Sequence, residues 1–134
     1  MIQLFFLFSD FGLLFFRIVL GIILFGHGLP KAKNFKATVS GFNELKIKPA
    51  KFWAVIVTAL ELVSGILLML GFLTQIISLL VMIEFLVIIL LVKRKSKLIN
   101  GYEFELLILV SALLLATLGA GYYSLDNILN FWIY

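Results

Sequence analysis

Residues 52–92 read FWAVIVTALELVSGILLMLGFLTQIISLLVMIEFLVIILLV and contain two apolar runs separated by one short turn. A helix needs about 20 mostly apolar residues to cross the hydrocarbon layer of a membrane. Residues 52–72 and residues 75–92 each have a suitable length, and the turn between them contains Gly71. So short a link predicts two transmembrane helices that are antiparallel neighbours.

Two further apolar runs lie outside this stretch, at residues 11–29 and residues 104–119. Ser9 and Asp10 come just before the first run and are predicted N-cap residues. Gly119 is a predicted helix breaker at the end of the last run. The sequence therefore predicts four spans.

The composition supports this class of protein over a soluble one. Of 134 residues, 63% are hydrophobic, and the mean hydropathy is +1.20. A soluble domain of this size has too much surface to hide so many apolar side chains. We predict an all-α integral membrane protein, a single antiparallel four-helix bundle over residues 1–134.

Residue types that are missing or rare exclude several kinds of cofactor. The chain contains no cysteine, which excludes disulfides, thiol redox chemistry and iron–sulfur clusters. Its single histidine excludes a haem held between two histidines of this chain. We expect no covalently bound cofactor and no metal site.

The basic residues predict the orientation of the bundle. All but Arg17 fall in the first and third loops, which four spans place on the same side of the membrane. The positive-inside rule makes that side cytoplasmic and both termini external, most simply in a prokaryotic cytoplasmic membrane. Anionic headgroups, rather than nucleic acid, are the expected partners of these loops. The loop residues are Lys31, Lys33, Lys36, Lys46, Lys48, Lys51, Lys93, Arg94, Lys95 and Lys97.

An aromatic tail, residues 122–134, follows the fourth span. Tyrosine and tryptophan collect at membrane–water interfaces because their rings are amphipathic. Ser124 can cap a short helix in this tail. The sequence predicts an interfacial anchor on the outer face.

Three ionisable residues, Arg17, Glu61 and Glu84, lie well inside the predicted spans, while His27, Glu103 and Glu105 lie nearer the cytoplasmic ends. Each costs at least ~2.5 kcal/mol to insert into a membrane, so each needs a reason. Arg17 shares a helical stripe with Gly21 and Gly28, and glycines admit a neighbouring helix. This stripe predicts that Arg17 faces protein.

An Arg17–Glu61 ion pair inside the bundle is the predicted arrangement, and it leaves Glu84 without a basic partner at its depth. Two interpretations remain open. In one, the pair is a structural staple and Glu84 is a neutral acid. In the other, these groups line a polar pocket that binds a polar head group or passes protons.

His27 lies near the cytoplasmic boundary of the first span, where Pro30 is predicted to end the helix. It can bind a loop carbonyl, or donate a proton to a quinone carbonyl. A metal site is the weakest alternative because one histidine with scattered carboxylates is not a ligand set. No nucleophile elbow, phosphate loop or dinucleotide fingerprint is present.

Several segments, in order along the chain, resemble the DoxX family of membrane proteins. The first helix is similar over residues 17–21 and 27–31, and the second over residues 60–65 and 70–74. Two later segments resemble the closing signature of the family: Gly101-Tyr102-Glu103-Phe104 and Gly119-Ala120-Gly121-Tyr122-Tyr123-Ser124-Leu125-Asp126.

This resemblance implies a link to quinone chemistry, since the family is named after a membrane subunit associated with thiosulfate:quinone oxidoreductase. The chain departs from the family pattern at Glu105, where proline is common, and at Tyr122, where a basic residue is common. Glu84 lies outside the pattern. The residues to which the family points are Arg17, His27, Glu61, Tyr102, Glu103 and Asp126.

We therefore predict a quinone-interacting membrane component of an oxidoreductase system. The quinone head is expected against Arg17, Glu61 and His27, with Glu84, Tyr102 and Glu103 as further pocket candidates. Electrons would come from a soluble redox protein docked on the basic loops. The alternatives are a non-catalytic assembly or anchoring subunit and, in third place, a small transporter or proton pathway. A homo-oligomer is compatible with each of these.

Overall fold

The computed structural model describes residues 8–131, and within that range the chain forms helices and turns without any strand. Four segments are long and apolar enough to cross a membrane: Ser9–Lys33, Ala50–Leu70, Thr74–Val92 and Leu98–Leu118. The helices are α1 (Ser9–Lys33), α2 (Phe35–Glu44), α3 (Ala50–Leu70), α4 (Thr74–Val87), α5 (Glu103–Leu118) and α6 (Leu125–Ile128). A π-helical turn, Ile88–Val92, extends α4, and a kinked segment, Leu98–Tyr102, with non-helical backbone at Ile99 and Asn100, precedes α5.

Both predicted boundaries of the first helix were wrong. Helix α1 begins at Ser9, and Phe8 occupies the N-cap position. Ser9 and Asp10 therefore belong to the first turn, and neither caps the helix. Pro30 lies inside α1 instead of ending it. A proline removes only one hydrogen bond from the helix, and the Pro30 carbonyl still accepts a bond from Asn34 N at 3.0 Å. The helix therefore continues to Lys33.

The predicted end of the fourth span is confirmed within one residue. Helix α5 stops at Leu118, and Gly119 has a φ of +76°. That left-handed backbone favours glycine because it carries no Cβ.

Helix α2, in the first loop, was not predicted. Phe35, Val39 and Phe42 follow the i, i+4, i+7 spacing of one helical face, and these three side chains are half-buried while most of their neighbours are exposed. This amphipathic spacing was the available signal. The helix is short, and its sequence also carries the polar residues of a loop.

Helices α1 and α3 pack closely through glycines. An ideal Cβ on Gly65 would lie 2.8 Å from the carbonyl oxygen of Gly21, and one on Gly28 would lie 3.0 Å from Leu62 N. As residue numbers rise along α1 they fall along α3, so this pair runs in opposite directions. Glycines remove the side chains that would hold the two backbones apart.

The other main helix pair is α4 with α5. Contacts are most extensive within these two pairs, and α3 touches α4 less extensively than either touches its own pair partner. The apolar core includes Leu24, Leu68, Val81 and Leu115, all fully buried. The bundle is thus two tight pairs joined along a looser boundary between α3 and α4.

The two ends of the bundle differ in charge. His27 stacks against Phe104 with ring centroids 5.1 Å apart, which places the first and third loops at one end, called here the basic end. At the other end, the Asp10 carboxylate accepts a hydrogen bond from Tyr122 N at 3.1 Å. This second end, which holds the start of α1 and the tail, is called the tail end.

The predicted short helix in the tail is confirmed as α6. Ser124 caps it, and the Ser124 hydroxyl accepts a hydrogen bond from Asn127 N at 3.1 Å. The aromatic residues Trp132 and Tyr134, which the prediction included, lie outside the described residues. The interfacial role of the tail stays a prediction.

Asp126 of α6 caps a different helix, α4. Its carboxylate accepts hydrogen bonds from Leu73 N at 2.6 Å and from Thr74 N at 2.8 Å. The first amides of a helix have no partner within the helix, and the helix dipole favours negative charge there. The tail therefore stabilises the turn between α3 and α4.

Replacement of Gly65 by alanine is expected to loosen the α1–α3 pair. The new Cβ would overlap with backbone atoms of Gly21 and Phe25, and overpacking of this kind costs about 1–3 kcal/mol. Thermal unfolding in detergent should show a clearly lower midpoint for Gly65→Ala. Gly26→Ala is the matched control, because a Cβ there has open space within 4 Å. Equal midpoints for the two variants would contradict the role given to the glycine contact.

Replacement of Asp126 by asparagine is expected to weaken the turn between α3 and α4. The amide has only one acceptor oxygen for the two backbone N–H groups and carries no charge, and loss of such a cap costs about 1–2 kcal/mol. The unfolding midpoint of Asp126→Asn should fall further than that of Asp10→Asn, which loses the charge from a single exposed bond. An Asp10→Asn effect as large as that of Asp126→Asn would show that the cap has no special weight.

Candidate functional site

The three ionisable residues predicted deepest in the spans all face protein. The exposed fraction is 1% for Arg17, 2% for Glu61 and 8% for Glu84. Each charge is therefore withdrawn from lipid, as the cost of exposing it there requires. The three do not form one group, however, because the structure separates Arg17 from the two glutamates.

Glu61 is paired with Lys31. The Lys31 ammonium lies 2.5 Å from the Glu61 carboxylate oxygen Oε1, and the lysine side chain keeps 31% of its surface exposed. Gly28, one turn before Lys31, brings the helices together here, since an ideal Cβ on it would lie 3.1 Å from Glu61 Cβ. The ion pair bridges α1 and α3 on the basic side of their contact.

The predicted Arg17–Glu61 pair was wrong. The Arg17 guanidinium instead donates hydrogen bonds to the carbonyl oxygens of Ala120 and, at 2.7 Å, Tyr123. Arg17 precedes Gly28 by eleven residues, which is about 16 Å along a helix axis. Arg17 lies on the same face of α1 as Gly28, and that face is turned away from lipid. Because Glu61 lies beside Gly28, Arg17 is too far along the helix to reach Glu61.

Arg17 belongs to the tail end. An ideal Cβ on Gly71, whose φ is +68°, would lie 2.6 Å from the guanidinium carbon of Arg17. The Arg17 charge is attracted by Asp126 across this turn. Arg17 therefore binds the tail to the ends of α1 and α3, and Asp126, to which the family pattern points, takes part in the same arrangement.

Glu84 on α4 faces the ion pair. Its carboxyl group lies within Coulombic range of Glu61 and Lys31. Neither of its oxygens has a hydrogen-bond partner among residues 8–131. Lys31, Glu61 and Glu84 together form what is called here the acid–lysine cluster, contributed by α1, α3 and α4.

The cluster has unused hydrogen-bonding capacity. Glu61 Oε2, both oxygens of Glu84 and the buried hydroxyl of nearby Thr58, one turn before Glu61 on α3, lack partners in the described part of the chain. A lysine ammonium has three donor hydrogens, and a protonated carboxyl group can donate one. The arrangement can therefore bind a carbonyl or hydroxyl oxygen and exchange protons with it.

The remaining sequence candidates lie at the basic end. His27 is on an exposed face of α1 and stacks on Phe104. Tyr102 is half-buried, and Glu103 is exposed at the start of α5. The described hydrogen bonds and ion pairs do not connect these three side chains with the acid–lysine cluster, and their participation in a pocket stays a prediction.

A second ion pair was also not predicted. Lys93 Nζ lies 3.4 Å from Glu105 Oε1 and 3.4 Å from the carbonyl oxygen of Gly101. It joins the end of the third span to the start of α5. Among residues 8–131, no group of three or more histidine, cysteine, aspartate or glutamate residues is arranged to hold a metal ion.

Lys31 is the candidate site residue that the sequence prediction missed. It continues the stripe of Arg17, Gly21, Leu24 and Gly28 by one more turn, at i+14 from Arg17. The expectation that Pro30 ends the helix assigned Lys31 to a loop instead. The periodicity was therefore a sufficient signal, and the helix boundary concealed it.

Comparisons with known proteins agree with this architecture. The family model described as DoxX matches residues 12–94. A Bacillus subtilis (strain 168) protein named "Putative oxidoreductase CatD" is 32% identical over 117 residues, which cover 87% of this chain and 86% of that protein. No solved structure gives a significant match. The chain is an integral, multi-pass membrane protein and belongs to the DoxX family.

Proposed function

We propose that this protein is a quinone-interacting membrane component of an oxidoreductase system, with the acid–lysine cluster as its polar site. The observation that carries the proposal is the burial of Glu61 and Glu84 between membrane-spanning helices, beside half-buried Lys31, with three of their carboxyl oxygens unpartnered among residues 8–131. Quinones are lipid-soluble, and their only polar atoms are ring oxygens. A small polar cluster between apolar membrane-spanning helices offers hydrogen-bonding groups to such oxygens.

The residues present fit a quinone head group. The Lys31 ammonium can donate a hydrogen bond to a quinone carbonyl and stabilise negative charge that develops on it. Glu61 and Glu84 can hold or release protons beside the same oxygen. Reduction of a quinone to its quinol takes two electrons and two protons, one proton for each oxygen, so a site needs both charge stabilisation and proton exchange.

The proposed source of the electrons is another protein, because the sequence contains no redox-cofactor motif. A reduced soluble redox protein that docks on the basic loops is the proposed donor. Complementary charge would speed its association. The name of the Bacillus subtilis relative, "Putative oxidoreductase CatD", supports a redox role.

Arg17 is left out of this proposed head-group site. It lies about 16 Å along α1 from the residue that faces Glu61, and both of its terminal nitrogens bind tail carbonyls. His27, Tyr102 and Glu103 stay candidates at the basic end, where a quinone or a partner protein would approach the cluster. No covalent cofactor is proposed.

We further propose that the four spans form an antiparallel bundle in a prokaryotic cytoplasmic membrane, with the basic end in the cytoplasm and both termini outside. The concentration of lysine and arginine in the first and third loops supports this orientation. A homo-oligomer in the membrane would be compatible with it.

A non-catalytic assembly or anchoring role is the second candidate. It is favoured by the Lys31–Glu61 ion pair, which joins α1 to α3 and could be structural alone. Under that interpretation the unpartnered oxygens of Glu84 need no ligand. The two candidates make different predictions for variants of the cluster.

The first experiment measures quinone in protein extracted gently with its native lipid. Near-stoichiometric quinone is expected in the wild type, with loss to the bulk-lipid level in folded Glu61→Gln, because the variant removes the charge that orients Lys31. Glu44→Gln is the control, since Glu44 is exposed on α2. No enrichment over bulk lipid in the wild type would overturn the quinone proposal.

Removal of Lys31 separates the two candidates. Lys31→Met deletes the donor of the cluster and should lower quinone content at least as far as Glu61→Gln does. It also leaves Glu61 buried without its partner, which for a fully buried charge costs about 3–5 kcal/mol and less if the carboxylate takes up a proton. Lys33→Met, at an exposed position on the same helix, should change neither quinone content nor stability. Loss of folded yield with unchanged quinone in the folded fraction would favour the assembly role.

A further inference from the structure

A groove lies at the tail end of the bundle, beside Arg17. Its volume is about 510 Å³, which is a common size for a ligand site. Helices α1 and α3 contribute to its lining, and so does the tail with α6. The residues that line it include Leu14, Arg17, Met69, Leu70, Tyr122 and Ile128. We call this cavity the tail groove.

Arg17 is the charged residue of this lining, and one of its nitrogens has no partner. The terminal nitrogens donate to the carbonyl oxygens of Ala120 and Tyr123. The third nitrogen, Nε, is buried and has no hydrogen-bond partner among residues 8–131. Within that range the guanidinium also makes no ion pair with a carboxylate. A buried donor without an acceptor is costly, so a ligand oxygen in the groove would stabilise Arg17.

Two carboxylates lie near the tail groove. Asp10 precedes Leu14 by four residues and Arg17 by seven, so the three share one face of α1. The Asp10 carboxylate accepts a hydrogen bond from Tyr122 N at 3.1 Å. Asp126 attracts Arg17 but is already bonded to the first amides of α4. Two negative groups against one positive group disfavour a ligand of net negative charge.

Charged and apolar groups follow a fixed order from the tail end inward. Asp10 and Tyr122 lie at the tail end. Arg17 is seven residues, or about 10 Å, further along α1, and its side chain leans back toward the start of the helix. Met69 lies further in, because an ideal Cβ on Gly21 would be 2.7 Å from Met69 Cγ. This order of carboxylate, cation and apolar surface is the complement of an outer ammonium, an inner phosphate and a hydrocarbon chain.

Tyr122 and Tyr123 add hydroxyl groups near the rim. Both side chains are exposed, and their rings pack edge to face with centroids 5.2 Å apart. A tyrosine hydroxyl can donate a hydrogen bond to a phosphate oxygen. Tyrosine rings also collect at the headgroup level of membranes. The rim is therefore polar at the level where a headgroup would lie.

We propose that the tail groove binds one phospholipid of the adjacent leaflet, with a headgroup that carries a phosphate and a primary ammonium, as phosphatidylethanolamine does. The phosphate faces Arg17 and supplies acceptor oxygens to it. The ammonium donates a hydrogen bond to Asp10, whereas a quaternary ammonium has no N–H group to donate. The hydrocarbon chain lies along Met69 and Leu70.

The bound lipid would contact α1, α3 and α6 at once and so would add to the hydrogen bonds that hold the tail. It involves none of the residues of the acid–lysine cluster. The lipid site therefore does not depend on the proposed function, and either proposal can fail while the other stands.

Native mass spectrometry of the full chain tests the proposal. Protein freed of lipid in detergent is titrated with phosphatidylethanolamine, phosphatidylcholine and phosphatidylglycerol that have identical acyl chains. The wild type should bind one phosphatidylethanolamine about fivefold more tightly than either of the other lipids, which is the size of a partly exposed ion pair. Quinone content is measured in a separate sample.

Variants of exposed leucines locate the site. Leu70→Trp places a large ring in the tail groove and should abolish the tight binding of the single lipid. Leu79→Trp is the matched control, because Leu79 is similarly exposed, at 46% against 51% for Leu70, and does not line the groove. Ile128→Trp blocks the groove from α6 and should reproduce the effect of Leu70→Trp.

The headgroup assignment is tested by Asp10→Asn. The asparagine oxygen can still accept the hydrogen bond from Tyr122 N, but the negative charge is lost. Phosphatidylethanolamine should then bind no more tightly than phosphatidylcholine, while one lipid is still bound.

Several results would overturn the proposal. Equal binding by Leu70→Trp and Leu79→Trp would place the lipid outside the groove. Tighter binding of phosphatidylglycerol in the wild type would show that the groove selects an anionic headgroup instead. An unchanged preference in Asp10→Asn would remove the assigned partner of the ammonium. Absence of a tightly bound phospholipid in the wild type would reject the site itself.

Discussion

The close contact between α1 and α3 is the constraint on which the rest of the structure depends. Gly21 and Gly65 let the two backbones meet, and an added Cβ at either position would lie under 3 Å from the other helix. The same contact brings Gly28 against Glu61, and so brings Lys31 within 2.5 Å of the carboxylate. Because a charge exposed to hydrocarbon is costly, the pairing with Lys31 also makes the burial of the Glu61 carboxylate tolerable.

The buried charges divide between two tasks at two depths. At the tail end, Arg17 is satisfied by backbone carbonyls and by the attraction of Asp126, which in turn caps α4. These bonds hold the tail against the helices and leave little freedom for chemistry. Nearer the basic end, Glu61 and Glu84 keep oxygens without partners in the described part of the chain. A group that structure alone required would be expected to have its bonds completed.

Packing varies across the bundle in a way that matches this division. Contacts are extensive within the α1–α3 pair and within the α4–α5 pair, and less so between α3 and α4. Apolar residues such as Leu24 and Leu115 are fully buried in the core that these contacts form. Transmembrane helices gain little from hiding apolar surface, because lipid is equally apolar. Polar side chains between them therefore contribute mainly through hydrogen bonds. The proposed site has Glu61 on one side of this boundary and Glu84 on the other.

Hydropathy and helical periodicity, both properties of the sequence alone, determined the four spans and the inward stripe through Arg17 and Gly28. Short sequence motifs indicated the α6 cap at Ser124 and the family resemblance. Each of these depends on residues near one another in the chain, and local physics decides them. The partner of Arg17, the continuation of α1 past Pro30 and the pairing of Lys31 with Glu61 were decided by the tertiary structure. Ion-pair partners depend on the relative depth of two helices and on where each helix ends, and a shift of a few residues moves a side chain by several ångströms. The stripe on α1 indicates which face Lys31 shares, but no local pattern contains its distance from Glu61, so the ion pair itself emerged only when the helices were packed.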